Sequence, residues 1–365
     1  FWLAVKFICN AQMTQGAGVL VPVDPFKLND YSTETPTSFE FIYKYKGIKY
    51  IYGFSATKEK ICEEYLYHYP KGFRAQVFKR TGQEFSFIQD KAFKQLISKA
   101  VAENQLYFSV ANTMNESVCA EAMKFFTESI VFSREFEDLP GQIRLNYHNN
   151  NVLKSMKQYA QRADVGITDM KFEMKNTEID VDDTIPEDAP PELSRALKSF
   201  VSALSDNSQV KIQRNEIKAR TYHTGISKNG EISQYELGLE DESDGTLRLM
   251  ALAAAIDRTI DNGGIFVADE LEKGLHPLLT EYIVNKFQNS EINKNNAQLI
   301  FTTHDTEIMR QHFLDADQFY FVDKDRQTGE SELYSVDGLG KKNNADIRTG
   351  YLIGKFGGVP ELGDE

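Results

Sequence analysis

The chain has 365 residues, and 54 acidic side chains outnumber 41 basic ones, which gives a formal net charge of -13 at pH 7. A chain this acidic does not carry a uniformly basic coat for nucleic acid, although a local basic groove stays open. With 41% hydrophobic and 26% charged residues, the chain can bury a sizeable core and is not disordered throughout.

The N-terminal segment FWLAVKFICNAQ places apolar residues at near-helical spacing. It has neither the basic start and cleavage site of a signal peptide nor a capping residue ahead of the helix. The pattern therefore predicts a helix that is entered partway along, and we expect further residues before Phe1 in the natural protein.

Residues 38–90 predict an antiparallel β-meander with one solvated face. SFEFIYKYKGIKYIYGFSA alternates aromatic or branched residues with polar ones, and Lys46-Gly47 lies at a natural turn. From Asp90 to Arg134 the periodicity becomes helical, except that LYFSVANTMN is interpreted as a strand and its exit loop. VLKSMKQYAQRA and PPELSRALKSFVSAL predict further helices, on either side of an acidic surface loop.

After Ser208, two strands are predicted on either side of the turn Lys228-Asn229-Gly230. A loop leading into a helix follows, and then GIFVADE, AQLIFTTHD and DQFYFVDKD are predicted as strands separated by helices, among them TEIMRQHF. Alternating strands and helices favour a mainly parallel α/β sheet.

The segment Ser243-Asp244-Gly245-Thr246 precedes the helix that contains LRLMALAAAI. A serine and a glycine at a helix start present a hydroxyl and bare backbone N–H groups to an anion, supported by the helix dipole. An ordinary N-cap explains the same residues. Both interpretations stay open from this segment alone.

Two further motifs follow predicted strands, at the strand ends where open α/β sheets collect ligands. Asp269-Glu270 follows IFVA, so one carboxylate can hold magnesium through water while the other orients an attacking water. His304 follows LIFTT and can donate to a γ-phosphate. The alternatives are a surface turn for the two acids and a structural histidine for His304.

Together the motifs run in the order S-x-G-T, strand-D-E and strand-T-T-H-D, with about 25 and then about 35 residues between them. This order resembles the signature loop, the Walker B strand with its catalytic glutamate, and the switch histidine of ABC-type ATPases. ESDGTLRLMAL, VADELEKGLHPLL and AQLIFTTHDTEIM resemble the OLD/RloA-like ATP-binding proteins of the AAA family in bacterial abortive infection and phage defence.

The resemblance implies a cytoplasmic ATPase that uses ATP and Mg²⁺. Asp269 would support magnesium through water, Glu270 would polarise the attacking water, and His304 would sense the γ-phosphate. The signature loop would bind a nucleotide that is held by another subunit. Its nucleotide-binding positions would be Ser243, Gly245 and Thr246. A homodimer or higher homo-oligomer would therefore form around ATP and control a nuclease or toxin partner.

Two family features differ or are missing. His276 stands where transporters carry an aspartate, which leaves its role open. The phosphate-cradling pattern G-x-x-x-x-G-K-[ST] does not occur, and Gly16-Ala17-Gly18 lacks its lysine. We expect that loop upstream of Phe1, with a natural pseudo-ATPase as the alternative. Asn112, after LYFSV, is the candidate for the Q-loop.

The expected fold is α/β: an ABC-ATPase-like head with a mainly parallel sheet and helices, an antiparallel β-meander lobe and a helical insertion. The expected segments are 1–95 for the N-terminal part of the head with the meander lobe, 96–206 for the helical insertion, 207–335 for the C-terminal part of the head, and 336–365 for a C-terminal tail.

Three alternative functions stay open. Asp323-Lys324-Asp325 could belong to a nuclease site, but a strand end explains these residues more simply. A basic stripe would suit a DNA-binding ATPase of repair or chromosome maintenance, and it would consist of Lys211, Arg214, Lys218 and Arg220. A solvated strand face is the simpler explanation of these residues. A degenerate, non-hydrolysing scaffold subunit is the third.

Cysteine spacing and hydropathy bear on the cellular setting. Cys9, Cys62 and Cys119 lie too far apart in sequence to suggest a disulfide framework or a metal cluster, which fits a reducing, intracellular compartment. No apolar run approaches the roughly 20 residues that a membrane-crossing helix needs. We therefore expect no membrane partner.

Overall fold

The structure is a computed structural model of the chain, with parallel and antiparallel sheets and helices. It describes residues 1–14, 16, 18–163, 166–178, 213–336 and 344–359, and the single residues 192, 195, 196 and 199. Most of the predicted helix PPELSRALKSFVSAL, most of the acidic loop before it, and Lys211 lie outside these residues. Within them, no helix is both long and apolar enough to cross a bilayer.

The chain divides into two compact units. The first unit comprises Phe1–Phe132, Thr259–Ala268 and Val284–Glu365, and the second unit comprises Ser133–Arg258 and Asp269–Ile283.

The first unit begins with helices and a meander whose bounds are α1 Trp2–Thr14, α2 Asp30–Glu34, β1 Thr37–Tyr45, β2 Ile48–Ala56, β3 Ile61–His68, β4 Ala75–Thr81 and β5 Glu84–Ser86. The predicted N-terminal helix and antiparallel meander are confirmed, with strand order β1-β2-β3-β4-β5. Lys46 and Gly47 form the predicted turn with φ of 46° and 81°, the left-handed conformation of a two-residue hairpin loop.

Helices pack on the meander, with bounds α3 Lys91–Ser98, α4 Tyr107–Thr113 and α5 Ser117–Lys124, followed by a π-helical turn at Phe125–Ser129 and strand β6 Ile130–Phe132. The predicted strand in LYFSVANTMN is wrong, because Tyr107 begins α4. Buried Glu64 of β3 accepts hydrogen bonds from the backbone N–H groups of Tyr107 and Phe108 at 2.7 and 2.9 Å. A carboxylate in this position stabilises a helix start.

The core of the first unit is aromatic and encloses ionic groups. Tyr52 and Phe108 pack with ring centroids 4.4 Å apart, and both are fully buried. Beside them, Arg80 lies 3.5 Å from the Glu64 carboxylate, and neither side chain is exposed. Arg80 also donates to the carbonyl oxygens of Gly82 and Gln105 at 2.7 and 2.5 Å. The guanidinium thus ties the meander to the loop before α4.

The second unit contains a 3₁₀ turn at Ser133–Phe136, α6 Leu139–Asn146, α7 Asn150–Ala163, β7 Ile167–Glu178, β8 Gln213–Ile226, β9 Ile232–Gly238, a 3₁₀ turn at Leu239–Asp241, and α8 Asp244–Asn262, whose last residues enter the first unit. The turn between β8 and β9 is confirmed, with Gly230 at φ 80°. The expectation that the insertion is helical is wrong for β7, which pairs antiparallel along β8.

The remaining elements are β10 Ile265–Ala268, α9 Pro277–Gln288, β11 Gln298–Phe301, 3₁₀ turns at Thr306–Arg310 and Ala316–Gln318, β12 Tyr320–Lys324, β13 Ser331–Ser335 and α10 Asn344–Leu352. The predicted parallel sheet is confirmed in the order β11-β10-β6. The prediction of a helix through Ile130–Phe132 is therefore wrong, since β6 pairs with β10. TEIMRQHF forms only a 3₁₀ turn, and among the described strands β12 pairs with β13 alone.

Candidate functional site

Asp269 and Glu270 follow β10, the central strand of the parallel sheet. Phe266 and Ala268 of this strand are buried, whereas Asp269 and Glu270 are exposed. Ligands of open α/β sheets bind beyond the carboxyl ends of strands. The structure therefore places both carboxylates at the end of the sheet where a ligand is expected, and a rigid strand leads to them.

The backbone of Glu270 is left-handed, with φ of 49°. This conformation is unfavourable for a residue with a side chain, and it persists only where surrounding contacts enforce it. The Glu270 carbonyl accepts hydrogen bonds from the backbone N–H of Lys273 at 3.0 Å and from Arg248 Nη2 at 3.1 Å. Strain of this kind clusters at functional sites, which directs attention to the Glu270 side chain.

Ser243 is the N-cap of α8. Its hydroxyl accepts a hydrogen bond from the Thr246 backbone N–H at 3.2 Å and lies 2.9 Å from the Thr246 hydroxyl. Thr246 is buried, while Ser243 and Asp244 are exposed. The capping interpretation is therefore confirmed, and a contact of this loop with a phosphate stays a prediction.

Glu242, directly before Ser243, anchors the loop to β8. Its carboxylate is 3% exposed, lies 2.7 Å from His223 Nε2 and accepts a hydrogen bond from the Thr221 hydroxyl. Glu242 was not predicted to have a role, because its partners lie about twenty residues earlier and no local sequence pattern indicates the contact. Strand β8 thus holds the residue that precedes the loop.

Gly245 lies against the loop that follows Glu270. A Cβ atom at this position would stand 2.3 Å from the Gly274 carbonyl oxygen, closer than any real side chain allows. A glycine is therefore required so that the two backbones can approach each other. The segment Ser243–Thr246 and the residues after Glu270 therefore pack directly against each other.

Gly245→Ala is expected to lower the free energy of unfolding by about 1–3 kcal/mol, because its methyl group meets rigid backbone. Gly274→Ala is the matched control, because open space surrounds it and only its φ of 71° resists a side chain. We expect the smaller loss of about 1 kcal/mol there. Urea unfolding of both variants measures the difference, and a larger loss for Gly274→Ala would contradict the close backbone approach.

His276 caps α9. Its Nδ1 accepts a hydrogen bond from the Leu278 N–H at 3.2 Å, and its carbonyl accepts one from Leu279 at 2.8 Å. Pro277 occupies the first helical position, where its missing N–H costs nothing. The residue whose role the sequence left open thus has a structural task at the helix start.

His304 follows β11, which pairs parallel with β10 so that Phe301 lies opposite Ala268. The two strands therefore end at the same edge of the sheet, and His304 is exposed three residues beyond it. Asp305 caps the next 3₁₀ turn by accepting from the Glu307 N–H at 2.9 Å. The position fits a residue that contacts a ligand.

Other candidate residues have structural partners. Asn112 lies in α4 and not in a loop after a strand, so the premise for its Q-loop assignment is wrong. Asp323 accepts a hydrogen bond from the Gly358 N–H at 2.9 Å. Asp325 accepts from the N–H groups of Gln327 and Thr328, which lower the pKa of its carboxyl. These contacts favour the structural explanation of Asp323-Lys324-Asp325.

Two residues of the basic stripe, Lys218 and Arg220, have acidic neighbours. Arg220 lies 3.6 Å from a carboxylate oxygen of Glu236 and 3.9 Å from one of Glu240. Lys218 stands opposite Glu173 in the pairing of β8 with β7. The strand face thus presents mixed charges.

Comparisons with known proteins place this site in context. A family model described as "AAA domain, putative AbiEii toxin, Type IV TA system" matches residues 3–310. The curated "Retron Vc95 probable ATPase" of Vibrio cholerae serotype O1 biovar El Tor is 33% identical over 119 residues, which cover 31% of this chain and 21% of that protein. The matched stretch thus spans about a fifth of the relative's length.

Solved structures give only a weak likeness. The structure titled "recombination mediator protein RecF-ATP in RecFOR pathway" is 12% identical, with a TM-score of 0.25 and coverage of 79% of this chain and 80% of that chain. A second RecF structure, titled with ATPrS, is 11% identical with a TM-score of 0.23, and it covers 80% and 82% of the two chains. At these scores the likeness supports no argument about function.

Proposed function

The chain belongs to the AAA domain family described as "putative AbiEii toxin, Type IV TA system", and from this premise we propose that it is a magnesium-dependent ATPase subunit of a bacterial abortive-infection system. We propose that it dimerises around ATP and controls a nuclease or toxin partner in defence against phage. The stretch shared with the retron ATPase supports the ATPase part of this proposal.

The observation that carries the proposal is the pair Asp269-Glu270 beyond the central parallel strand, with Glu270 held in a left-handed conformation. In this function Asp269 supports the metal through water, and Glu270 accepts a proton from the water that attacks the γ-phosphate. His304 contacts the γ-phosphate from the end of β11.

The acids fit magnesium better than a metal that needs a complete protein cage. Among the described residues, no group of three or more His, Cys, Asp or Glu side chains could hold a metal ion. Magnesium keeps several waters and commonly takes one or two carboxylates together with phosphate oxygens. When bound, it would neutralise the charge that develops on the phosphates. Two adjacent, exposed carboxylates suit this demand.

The signature loop offers N–H groups to an anion. The first N–H groups of a helix have no backbone acceptor within the helix, and the Ser243 hydroxyl accepts from that of Thr246. The N–H groups of Asp244 and Gly245 therefore belong to the set that a phosphate of another subunit's ATP can contact. This arrangement supports a dimer in which each subunit completes the other's site.

The alternative of a DNA-binding ATPase has less support. The mixed charges around Lys218 and Arg220 do not form the uncompensated basic track that phosphate backbones attract. A non-hydrolysing scaffold subunit is the other alternative, and it would leave the strained Glu270 without a catalytic task.

The test uses the natural polypeptide, whose intact mass is measured first because G-x-x-x-x-G-K-[ST] does not occur in the 365 residues. We expect ATP hydrolysis that requires Mg²⁺, and light scattering should show dimers with ATP and monomers with ADP. Hydrolysis that needs duplex DNA, together with salt-sensitive DNA binding, would favour the repair ATPase. No ATP binding at all would contradict the proposal.

A further inference from the structure

Arg248 joins the helix that carries the signature loop to the loop that carries Glu270. It lies in α8 three residues after Gly245, so both residues share one face of the helix. Its Nη2 donates to the Glu270 carbonyl at 3.1 Å, and its Nη1 donates to the Lys273 carbonyl. One side chain thus holds both ends of the turn from Glu270 to Lys273.

We infer that Arg248 is a positioning residue, which holds the strained Glu270 backbone so that its carboxylate meets the attacking water. This inference rests on the proposed function of Glu270. In this role the Arg248 guanidinium contacts backbone carbonyls and not the reacting atoms. It acts on the Glu270 carbonyl, and through that carbonyl on the direction of the side chain.

The geometry requires a guanidinium. The planar guanidinium of arginine can donate hydrogen bonds to two carbonyl oxygens three residues apart at the same time. A lysine ammonium is a compact charge on a flexible chain and does not offer this fixed pair of donors. Glu270 has a φ of 49°, which an unrestrained residue would leave. Removing Arg248 takes one of two donors from the Glu270 carbonyl, which keeps its hydrogen bond from the Lys273 N–H at 3.0 Å, and the turn relaxes.

The surroundings keep Arg248 in place. The side chain is partly buried, which lowers its pKa, and the carboxylates of Glu137, Glu272 and Glu270 oppose this shift. Arginine stays charged in proteins, and charged donors form stronger hydrogen bonds to carbonyls than neutral donors do. The contact is therefore suited to enforce an unfavourable backbone conformation.

A coupling between two functional elements follows. Gly245 leaves no room for a Cβ atom beside the Gly274 carbonyl, and Arg248 donates to the Glu270 and Lys273 carbonyls from the same helix face. Both contacts join the first turns of α8 to the turn that begins at Glu270.

The kinetic test compares Arg248→Ala and Arg248→Lys in the natural polypeptide with Arg258→Ala, an exposed arginine of the same helix. A misplaced catalytic group loses about 100-fold in rate, so kcat should fall about 10- to 100-fold for Arg248→Ala, with KM for ATP within about twofold. Arg248→Lys should recover only part of the rate, and Arg258→Ala should match the wild type. Full recovery with lysine would overturn the role of the guanidinium.

The structural test is amide hydrogen exchange without nucleotide. The Lys273 N–H is protected by the Glu270 carbonyl, so Arg248→Ala should speed its exchange about tenfold or more and leave the β1–β5 meander unchanged. Arg258→Ala should leave the segment 269–276 unchanged. Unaltered exchange in Arg248→Ala would show that the guanidinium does not hold the turn.

The two tests separate this inference from the proposed function. If Glu270→Gln hydrolyses ATP at the wild-type rate, the assignment of Glu270 fails, and the exchange experiment still decides whether Arg248 holds the turn. If Glu270→Gln is inactive while Arg248→Ala keeps the wild-type kcat, the inference about Arg248 alone is wrong.

Discussion

Glu270→Gln is expected to slow ATP hydrolysis about 100- to 1,000-fold and to trap an ATP-bound dimer of the natural polypeptide. Glutamine keeps the size of the side chain and its ability to hydrogen-bond, but it does not accept a proton from water. Binding contacts with the nucleotide stay in place, so the complex that normally breaks on hydrolysis accumulates. Single-turnover hydrolysis and light scattering with ATP measure the two effects.

The matched control for Glu270 is Glu291→Gln, an exposed glutamate in the turn that follows α9. It removes the same charge far along the chain from β10, and it should hydrolyse ATP at the wild-type rate. The assignment of Glu270 is wrong if Glu270→Gln stays monomeric with ATP or hydrolyses it as fast as this control.

Arg80→Met is expected to lower the free energy of unfolding by about 3–5 kcal/mol, the typical loss when a buried ion pair loses one partner. Arg80 and Glu64 are both fully buried, and the Glu64 carboxylate also accepts from the Tyr52 hydroxyl at 3.1 Å. Methionine fills much of the space but leaves the carboxylate uncompensated. Urea unfolding measures the loss.

Lys79→Met is the control, since Lys79 precedes Arg80 on β4 and is exposed. Its effect should stay within about 0.5 kcal/mol. The double variant Arg80→Met with Glu64→Leu should recover part of the stability, because it removes the unpaired charge. A loss of less than about 1 kcal/mol for Arg80→Met would show that the pair does not anchor the core.

The loss should also depend on pH. Burial raises the pKa of the Glu64 carboxyl, although Arg80 and the N–H groups of Phe108 and Tyr107 act in the opposite direction. Without Arg80 this pKa rises further above the unfolded value of about 4.3. A raised folded-state pKa means that stability is retained below the unfolded pKa and lost as pH rises through the folded one. The difference between Arg80→Met and wild type should therefore shrink as pH falls toward about 4.

Local patterns were enough for the meander, for both hairpin turns and for the two acids after β10. The alternation along SFEFIYKYKGIKYIYGFSA follows the two-residue period of a strand. Lys46-Gly47 adopts the left-handed backbone conformation that its turn requires, and no distant residue is needed for this. Three motifs in a fixed order likewise indicated the family, because each is a short segment whose chemistry does not depend on distant residues.

Long-range contacts decided the rest. LYFSV could be a strand by composition, but Glu64 from β3 stabilises the start of a helix there. Ile130–Phe132 forms a strand because it pairs with β10. The segment of β7 forms a strand because β8 pairs along its length. Each choice depended on a partner that is remote in sequence, and intrinsic preference is too weak to resist such a partner.

The same division holds for the candidate site. The sequence by itself selected the candidate residues, since Asp269, Glu270 and His304 stand out by their type and their place after apolar strands. Only the tertiary structure decided how Glu270 is held, through Arg248 and the contact of Gly245 with Gly274. A side chain's chemistry is a property of its residue, whereas its direction depends on contacts between segments that the chain brings together only on folding.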